Sequence, residues 1–116
     1  MKVNTCVLNL PINEGQGSTA HDSSGFGNHG TIYGATWVNG SYGYALSFDG
    51  VDDYVEVPDD DSLDITDEIT IEAWVNIDPS EFNEGSSASR TAVVSKMYLD
   101  SDGGYMFLKE GWNSDR

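Results

Sequence analysis

Basic residues are scarce in this sequence. Only 5 Lys and Arg stand against 20 Asp and Glu, which gives a formal net charge of −15. No Lys or Arg occurs between Lys2 and Arg90. Nucleic acids and anionic membranes bind to basic surfaces, so this composition argues against both as partners. Cations, neutral sugars and water at high salt concentration are compatible with such an acidic surface.

Cysteine and long apolar runs are also lacking. The single cysteine, Cys6, has no partner for an internal disulfide, so cysteine usage does not fix the redox compartment. Its neighbours Val7 and Leu8 predict a buried thiol in a strand. No apolar run is long enough to span a membrane, and membrane insertion is therefore not expected.

What the sequence does contain is period-two alternation, in a chain of 116 residues that is long enough for one domain. The clearest case is EITIEAWVNI, residues 68–77, where Ile71, Ala73 and Val75 alternate with Glu72 and Trp74. This alternation predicts a central strand over residues 69–77 with the first three side chains buried. Further strands are predicted in TCVLNLPI, GYALSFDG, DYVEVP, TAVVSKMYL and GYMFLKE.

Clusters of turn-forming residues separate these segments. Asn39-Gly40 and Asp102-Gly103 are dipeptides that tolerate positive φ in tight turns. DSLDITDE, residues 61–68, could form one short helical turn, and no other helix is indicated. Several short strands spaced by turns predict an all-β fold, as an antiparallel β-sandwich or barrel.

The loop DSSGFGNHG, residues 22–30, is rich in oxygen-bearing side chains and glycine. Asp22 and Asn28 supply the kinds of oxygen that calcium prefers, and glycines allow backbone carbonyls to turn inward. The alternative is that both side chains bond their own backbone in Asx-type turns. Both interpretations remain open on the sequence alone. The acidic stretches do not match an EF-hand, because the required Gly and Glu positions are filled by other residues.

Three segments of the sequence resemble the laminin G-like, concanavalin A-like jelly-roll family. They are LNLPINEGQGSTAHDSSGFGNHGTI, ALSFDGVDDYVEVPDDDSLDITDEITIEAWVNID and the short VVSK. Their order also matches, and the resemblance runs from residue 7 to residue 110. It implies an antiparallel β-sandwich of two stacked sheets. It further implies that residues 1–116 form a partial domain, whose closing strands lie outside this chain. Uncovered apolar faces would then favour self-association.

The resemblance also implies a function. It predicts a non-catalytic carbohydrate-binding or adhesion module of a larger extracellular or cell-surface protein, with glycans or other cell-surface proteins as partners. Relatives often carry a structural calcium near the rim of the sandwich, and their matching loop points to Asp22, Asn28 and Asp49 as ligands. Fold-level analogy carries this expectation, and a fold does not determine a function.

Catalytic constellations are not apparent. Glu68 and Glu72 share a strand face, but Thr70 stands between them, and strand residues four apart are separated by roughly 13 Å, too far for a retaining glycosidase pair. His21 and His29 flank the loop without a cysteine cluster to join them, so hydrogen-bonding roles in the turn are a better expectation than a transition-metal site. No enzymatic activity is therefore expected from this chain.

A binding surface is the better expectation for the less apolar face of the predicted strand. Trp74 lies there with Glu72 and Asn76, a combination of an aromatic ring and polar groups that suits a sugar. Two alternatives remain: an accessory domain of a glycoside hydrolase or other secreted enzyme, or a structural spacer that binds only calcium.

Overall fold

The computed structural model describes residues 5–77, 91–97 and 104–109. The chain divides into two compact units, Met1–Ile65 and Thr66–Arg116. Seven β-strands and one 3-10 turn lie in the described residues, and no helix there is long and apolar enough to cross a membrane. The all-β prediction is therefore confirmed.

The first unit contains two small antiparallel sheets. Strands β1, β2 and β5 form one sheet, with β2 in the middle, and strands β3 and β4 form a hairpin. Their bounds are β1 Thr19–Ala20, β2 Gly30–Tyr33, β3 Thr36–Gly40, β4 Gly43–Ser47 and β5 Tyr54–Glu56. Strands β4 and β5 confirm the predictions made from GYALSFDG and DYVEVP.

Strand β2 shows the alternation of a sheet with one buried face. Gly30 and Ile32 are buried, whereas Thr31 and Tyr33 are exposed. Gly30 is needed for close packing, because a Cβ at this position would lie 2.6 Å from Cγ1 of Val55 on the neighbouring strand. The buried hydrophobic residues of the described chain are few: Ala20, Ile32 and Leu63.

The β3–β4 hairpin turns at Ser41 and Tyr42, between the paired residues Gly40 and Gly43. Positive φ occurs at Gly43, where it is 128°. Asn39 lies within β3, so the prediction that Asn39-Gly40 forms the tight turn is wrong by two residues. The turn is followed by Gly43, a residue that adopts a positive φ without steric cost.

The predicted short helical turn is confirmed as the 3-10 turn Asp61–Leu63. Asp60 caps it, since one of its carboxylate oxygens accepts a hydrogen bond of 2.9 Å from the Ser62 N–H. Leu63 is the buried residue of the turn.

The second unit contains a two-stranded antiparallel sheet of β6 Thr91–Met97 and β7 Gly104–Lys109. Both strands were predicted from TAVVSKMYL and GYMFLKE. A register shift between Ala92 and Val94 marks an irregularity in β6. The turn predicted at Asp102-Gly103 lies outside the described residues.

Two predicted strands are wrong. Residues 69–77 are not paired into any sheet of the described chain, and Ala73 and Val75 are exposed rather than buried, although Ile71 is half-buried. Alternation identifies which side chains could share a face, but a strand also needs a hydrogen-bonding neighbour. This segment pairs with none of the described strands.

The opening segment, residues 5–12, is the second segment for which the predicted strand is wrong. Its backbone bonds to the loop after β1 instead of to a strand, since Ser23 N–H donates to the Asn9 carbonyl at 2.8 Å. Pro11 lacks an N–H, and Ile12 has a φ of 55°, which no strand accommodates. Cys6 is exposed, so the prediction of a buried thiol is also wrong.

Two glycines with the same φ test how tightly the first unit is packed. Gly34 and Gly17 both have a φ of 82°, but only at Gly34 would an added methyl group overlap a side chain, the carboxylate of Asp53. We expect Gly17→Ala to lower the free energy of unfolding by about 1 kcal/mol, from backbone strain alone. Gly34→Ala should lower it by about 2–3 kcal/mol, because Asp53 must also move. Urea denaturation measures the free energy of unfolding of both variants. Equal losses of stability would contradict a tight contact between Gly34 and Asp53.

Candidate functional site

The loop of residues 22–30 is organised around one buried carboxylate. Asp22 is 8% exposed, and each of its oxygens accepts two hydrogen bonds. Oδ1 accepts from the N–H groups of Asn9 and Ser24, both at 2.9 Å. Oδ2 accepts from the Ser24 hydroxyl at 2.7 Å and from the Asn28 N–H at 2.9 Å. The carboxylate thus joins the opening segment to both ends of the loop.

These donors determine the ionisation of Asp22. Burial raises its pKa, because a charge is disfavoured away from water. The hydrogen bonds from Ser24, Asn9 and Asn28 act in the opposite direction and together outweigh burial, so the pKa of Asp22 lies well below its usual range. Asp22 is therefore a charged acceptor throughout the neutral pH range.

Asn28 extends this network away from the loop. It is 4% exposed, and its side-chain amide donates to the Val7 carbonyl at 2.8 Å and to the Ser62 hydroxyl at 2.9 Å. The loop is thereby tied to the opening segment and to the 3-10 turn. The two histidines lie at its ends: His29 Nδ1 accepts from the Asp22 N–H at 2.9 Å, and the ring of His21 meets that of His29 edge-on at 5.3 Å.

This geometry bears directly on the two interpretations of the loop. The Asx turn is present at Asp22, which accepts the N–H of Ser24 two residues further on. Asn28 instead bonds groups distant in the sequence. A calcium ion on Asp22 would compete with four donors that already occupy both oxygens. Calcium binding by Asp22 and Asn28 stays a prediction.

Asp49, the third predicted ligand, lies in a different cluster. Its Oδ1 accepts from the N–H groups of Val51 at 2.8 Å and Asp52 at 3.3 Å, and its own N–H donates to Asp53 Oδ2 at 2.9 Å. The bond from Val51 makes the largest contribution to a pKa of Asp49 that is lower than usual. One carboxylate oxygen from each of Asp49, Asp52 and Asp53 lies within 4.8 Å of the others.

We call residues 49–53 the acidic turn. Sequence reasoning missed Asp52 and Asp53 as members of this cluster, although DGVDD, a repeated acid at a glycine-containing turn, was a usable signal. Within the described residues this is the group of acidic and histidine side chains whose ligand atoms are close enough to share a metal ion. Exposed carboxylates also cluster without one, because water screens their repulsion.

The predicted ligand-binding residues are all accessible. Trp74 is 98% exposed, and Glu72 and Asn76, two residues to either side, are exposed as well. They lie in the second unit, in the segment that is not paired into a described sheet. Glu68 is exposed there too.

A second aromatic group was not predicted. Tyr33 and Tyr54 are directly opposite each other on β2 and β5, and their rings stack with centroids 4.7 Å apart and planes at 24°. The rings remain 42% and 51% exposed. The sequence places these tyrosines 21 positions apart, so only the strand register brings them together.

An open depression lies beside the loop that precedes β1. It is lined by Glu14, Gln16, Gly17, Ser18, Thr19 and His21. Glu14 Oε1 accepts from the His21 N–H at 2.7 Å, while Oε2 is buried without a hydrogen-bond partner. Burial raises the pKa of Glu14, but hydrogen bonds from backbone N–H groups and the nearby His21 ring lower it. Together they outweigh burial, so the pKa of Glu14 lies below its usual value. Its carboxylate therefore fixes the loop through the bond from the His21 N–H.

Comparison with known proteins adds no family to this description: no protein-family model, no curated protein and no solved structure matches the chain. The assignment to a fold family therefore rests on the motifs of the sequence, and the jelly-roll sandwich stays a proposal.

The Asp22 network predicts a large effect for a conservative substitution. Asp22→Asn keeps the shape of the side chain but replaces one acceptor oxygen by an amide that donates, so donors that face it lose their partner. We expect the free energy of unfolding to fall by about 3 kcal/mol. The exposed Asp67 provides the control, because Asp67→Asn should change the free energy of unfolding by less than about 0.5 kcal/mol. Urea denaturation at neutral pH measures both.

The same pair of variants predicts a pH dependence. The pKa of Asp22 is lower in the folded than in the unfolded chain, so its stabilisation is complete above the unfolded value, about 3.9. It is lost as pH falls from about 5 through that value toward the folded one. The Asp22→Asn variant should lack this part of the acid-induced destabilisation, whereas the Asp67→Asn variant should retain it. Parallel curves for all three proteins would contradict a charged, hydrogen-bonded Asp22.

Proposed function

We propose that this chain belongs to a non-catalytic carbohydrate-binding or adhesion module of the laminin G-like jelly-roll type, within a larger extracellular or cell-surface protein. The observation that carries the binding role is Trp74, whose indole is 98% exposed and has Glu72 and Asn76 nearby in the sequence. An indole left in water forgoes the favourable burial that most tryptophans obtain. A sugar ring can supply that burial by stacking.

The polar neighbours suit the same ligand. A sugar presents apolar C–H faces and a ring of hydroxyls, so it is recognised by an aromatic surface together with acceptors and donors at its edge. The carboxylate of Glu72 accepts hydrogen bonds, and the amide of Asn76 both donates and accepts. The charge of −15 favours neutral glycans over sulfated or sialylated ones.

The absence of a match among known proteins leaves the alternatives of an enzyme accessory domain and a structural spacer in place. The first shares the sugar-binding prediction. The second does not, so measuring glycan binding separates it from the proposed function.

The test uses the full chain and a panel of neutral and anionic oligosaccharides, with indole fluorescence as the readout. Trp74→Ala should weaken binding of any captured neutral glycan by about tenfold or more, equivalent to roughly 1.4 kcal/mol. Tyr42→Ala is the matched control, because Tyr42 is 97% exposed at the tip of the β3–β4 hairpin. Equal losses from both variants, or no capture of any neutral glycan, would overturn a sugar site at Trp74.

We also propose a structural calcium, as the resemblance implies. The acidic turn supports it, because three carboxylates lie within 4.8 Å and calcium binds through carboxylate, carbonyl and water oxygens. Asp52 is the informative residue. The turn uses its backbone N–H in a bond to Asp49, so Asp52→Asn removes a charge and keeps that bond.

Calcium at 100 times its dissociation constant should raise the free energy of unfolding by about 2.7 kcal/mol. If the acidic turn holds the ion, Asp52→Asn abolishes most of this gain, whereas Asp61→Asn, an exposed acid outside the turn, preserves it. If Asp22 is the principal ligand, as the loop predicts, Asp22→Asn abolishes the gain and Asp52→Asn does not. Equal partial losses from every variant indicate screening by counterions and contradict a calcium site.

A further inference from the structure

The stacked pair Tyr33–Tyr54 forms an exposed aromatic patch on a defined face of the β2–β5 ladder. Tyr33 pairs with Tyr54 and Thr31 pairs with Glu56, so these four residues occupy the face opposite to buried Gly30 and Ile32. Cross-strand aromatic pairs stabilise sheets, which accounts for the stacking. Stacking alone does not account for rings that stay about half exposed.

The groups around this patch are acidic. Glu56 is exposed two residues after Tyr54 on the same face. At the other end of the ladder, the acidic turn ends next to Tyr54, and the Asp53 side chain packs against Gly34, the residue after Tyr33. Carboxylates therefore lie at both ends of the tyrosine pair along the ladder, and no Lys or Arg occurs between Lys2 and Arg90 in the sequence.

Electron-rich rings bordered by carboxylates bind cations. The face of a tyrosine ring attracts a guanidinium or ammonium group, and a carboxylate within reach adds a charge-assisted hydrogen bond. Arginine suits this arrangement better than lysine, because its planar guanidinium is less strongly hydrated and can stack and pair at once. A neutral sugar would use the rings but leave the carboxylates without an ionic partner.

We propose that the Tyr33–Tyr54 face is a docking surface for an arginine-bearing segment of a protein partner. Charge complementarity selects this occupant: the face combines two rings with Glu56 and the acidic turn, and it would repel an anionic partner. The proposal uses no residue of the Trp74 site, so this inference does not depend on the proposed sugar binding.

The probe is a flexible peptide with three arginines separated by glycines, compared with its lysine counterpart and with an uncharged citrulline counterpart. Titrations of the full chain follow the ring protons of the tyrosines by NMR at about 0.15 M salt. We expect the arginine peptide to bind more tightly than the lysine peptide, and the citrulline peptide to bind least. The resonances of Tyr33 and Tyr54 should move, and those of Tyr42 should not.

Variants locate the binding. Replacing both tyrosines by leucine should weaken arginine-peptide binding about fivefold, whereas replacing both by phenylalanine, which keeps the rings and the sheet, should preserve most of it. Glu56→Gln should weaken it about threefold and reduce its salt dependence. Tyr42→Leu and Asp61→Asn, which remove an exposed ring and an exposed acid elsewhere, should leave it unchanged.

Three outcomes would overturn the proposal. Equal weakening by Asp61→Asn and Glu56→Gln shows diffuse attraction to an acidic protein. Equal binding of the citrulline and arginine peptides shows an apolar contact that needs no cation. Binding unaffected by the phenylalanine and the leucine pairs alike shows that the rings take no part. The leucine pair is interpreted only where its amide spectrum is that of a folded chain; otherwise Glu56→Gln and the phenylalanine pair decide.

Discussion

The first unit depends on the buried carboxylate of Asp22 and on the four hydrogen bonds that it accepts. A buried charge is tolerated only when donors replace its hydration, and here Ser24 supplies two donors, Asn28 one and Asn9 of the opening segment one. The carboxylate thereby fixes the path of chain that has no regular secondary structure. Asn28, held in the same network, carries the connection on to the 3-10 turn at Ser62.

This dependence on polar bonds follows from how little apolar surface is buried. Ala20, Ile32 and Leu63 are the buried hydrophobic residues of the described chain, and no large side chain among them is fully buried. Burial of apolar area is normally the dominant favourable contribution to folding, so a small core leaves a larger share to hydrogen bonds and turns. The exposed rings and aliphatic side chains that remain are available for a further layer, a second copy or a partner. The proposed surfaces at Trp74 and at Tyr33–Tyr54 each use part of them.

Charge determines which partners those surfaces can accept. A net charge of −15 disfavours the approach of anions, which is why the two proposals take neutral glycans and a cationic segment as ligands. The acidic turn adds a local concentration of carboxylates beside the tyrosine pair. A cation bound there, whether calcium or arginine, would relieve the same repulsion, so the two would compete if both bind.

The sequence by itself determined the all-β class, strands within residues 43–50, 53–58, 91–99 and 104–110, a short helical turn within residues 61–68 and the oxygen-rich loop that contains Asp22. These features depend on local alternation and turn chemistry, which act over a few residues. Only the tertiary structure decided the rest. The donors that surround Asp22, the meeting of Tyr33 with Tyr54 and the exposure of Cys6 all depend on which distant segments come together. So does the finding that residues 69–77 pair with none of the described strands. Alternation specifies which side chains share a face, but it carries no information about the neighbour that satisfies the backbone.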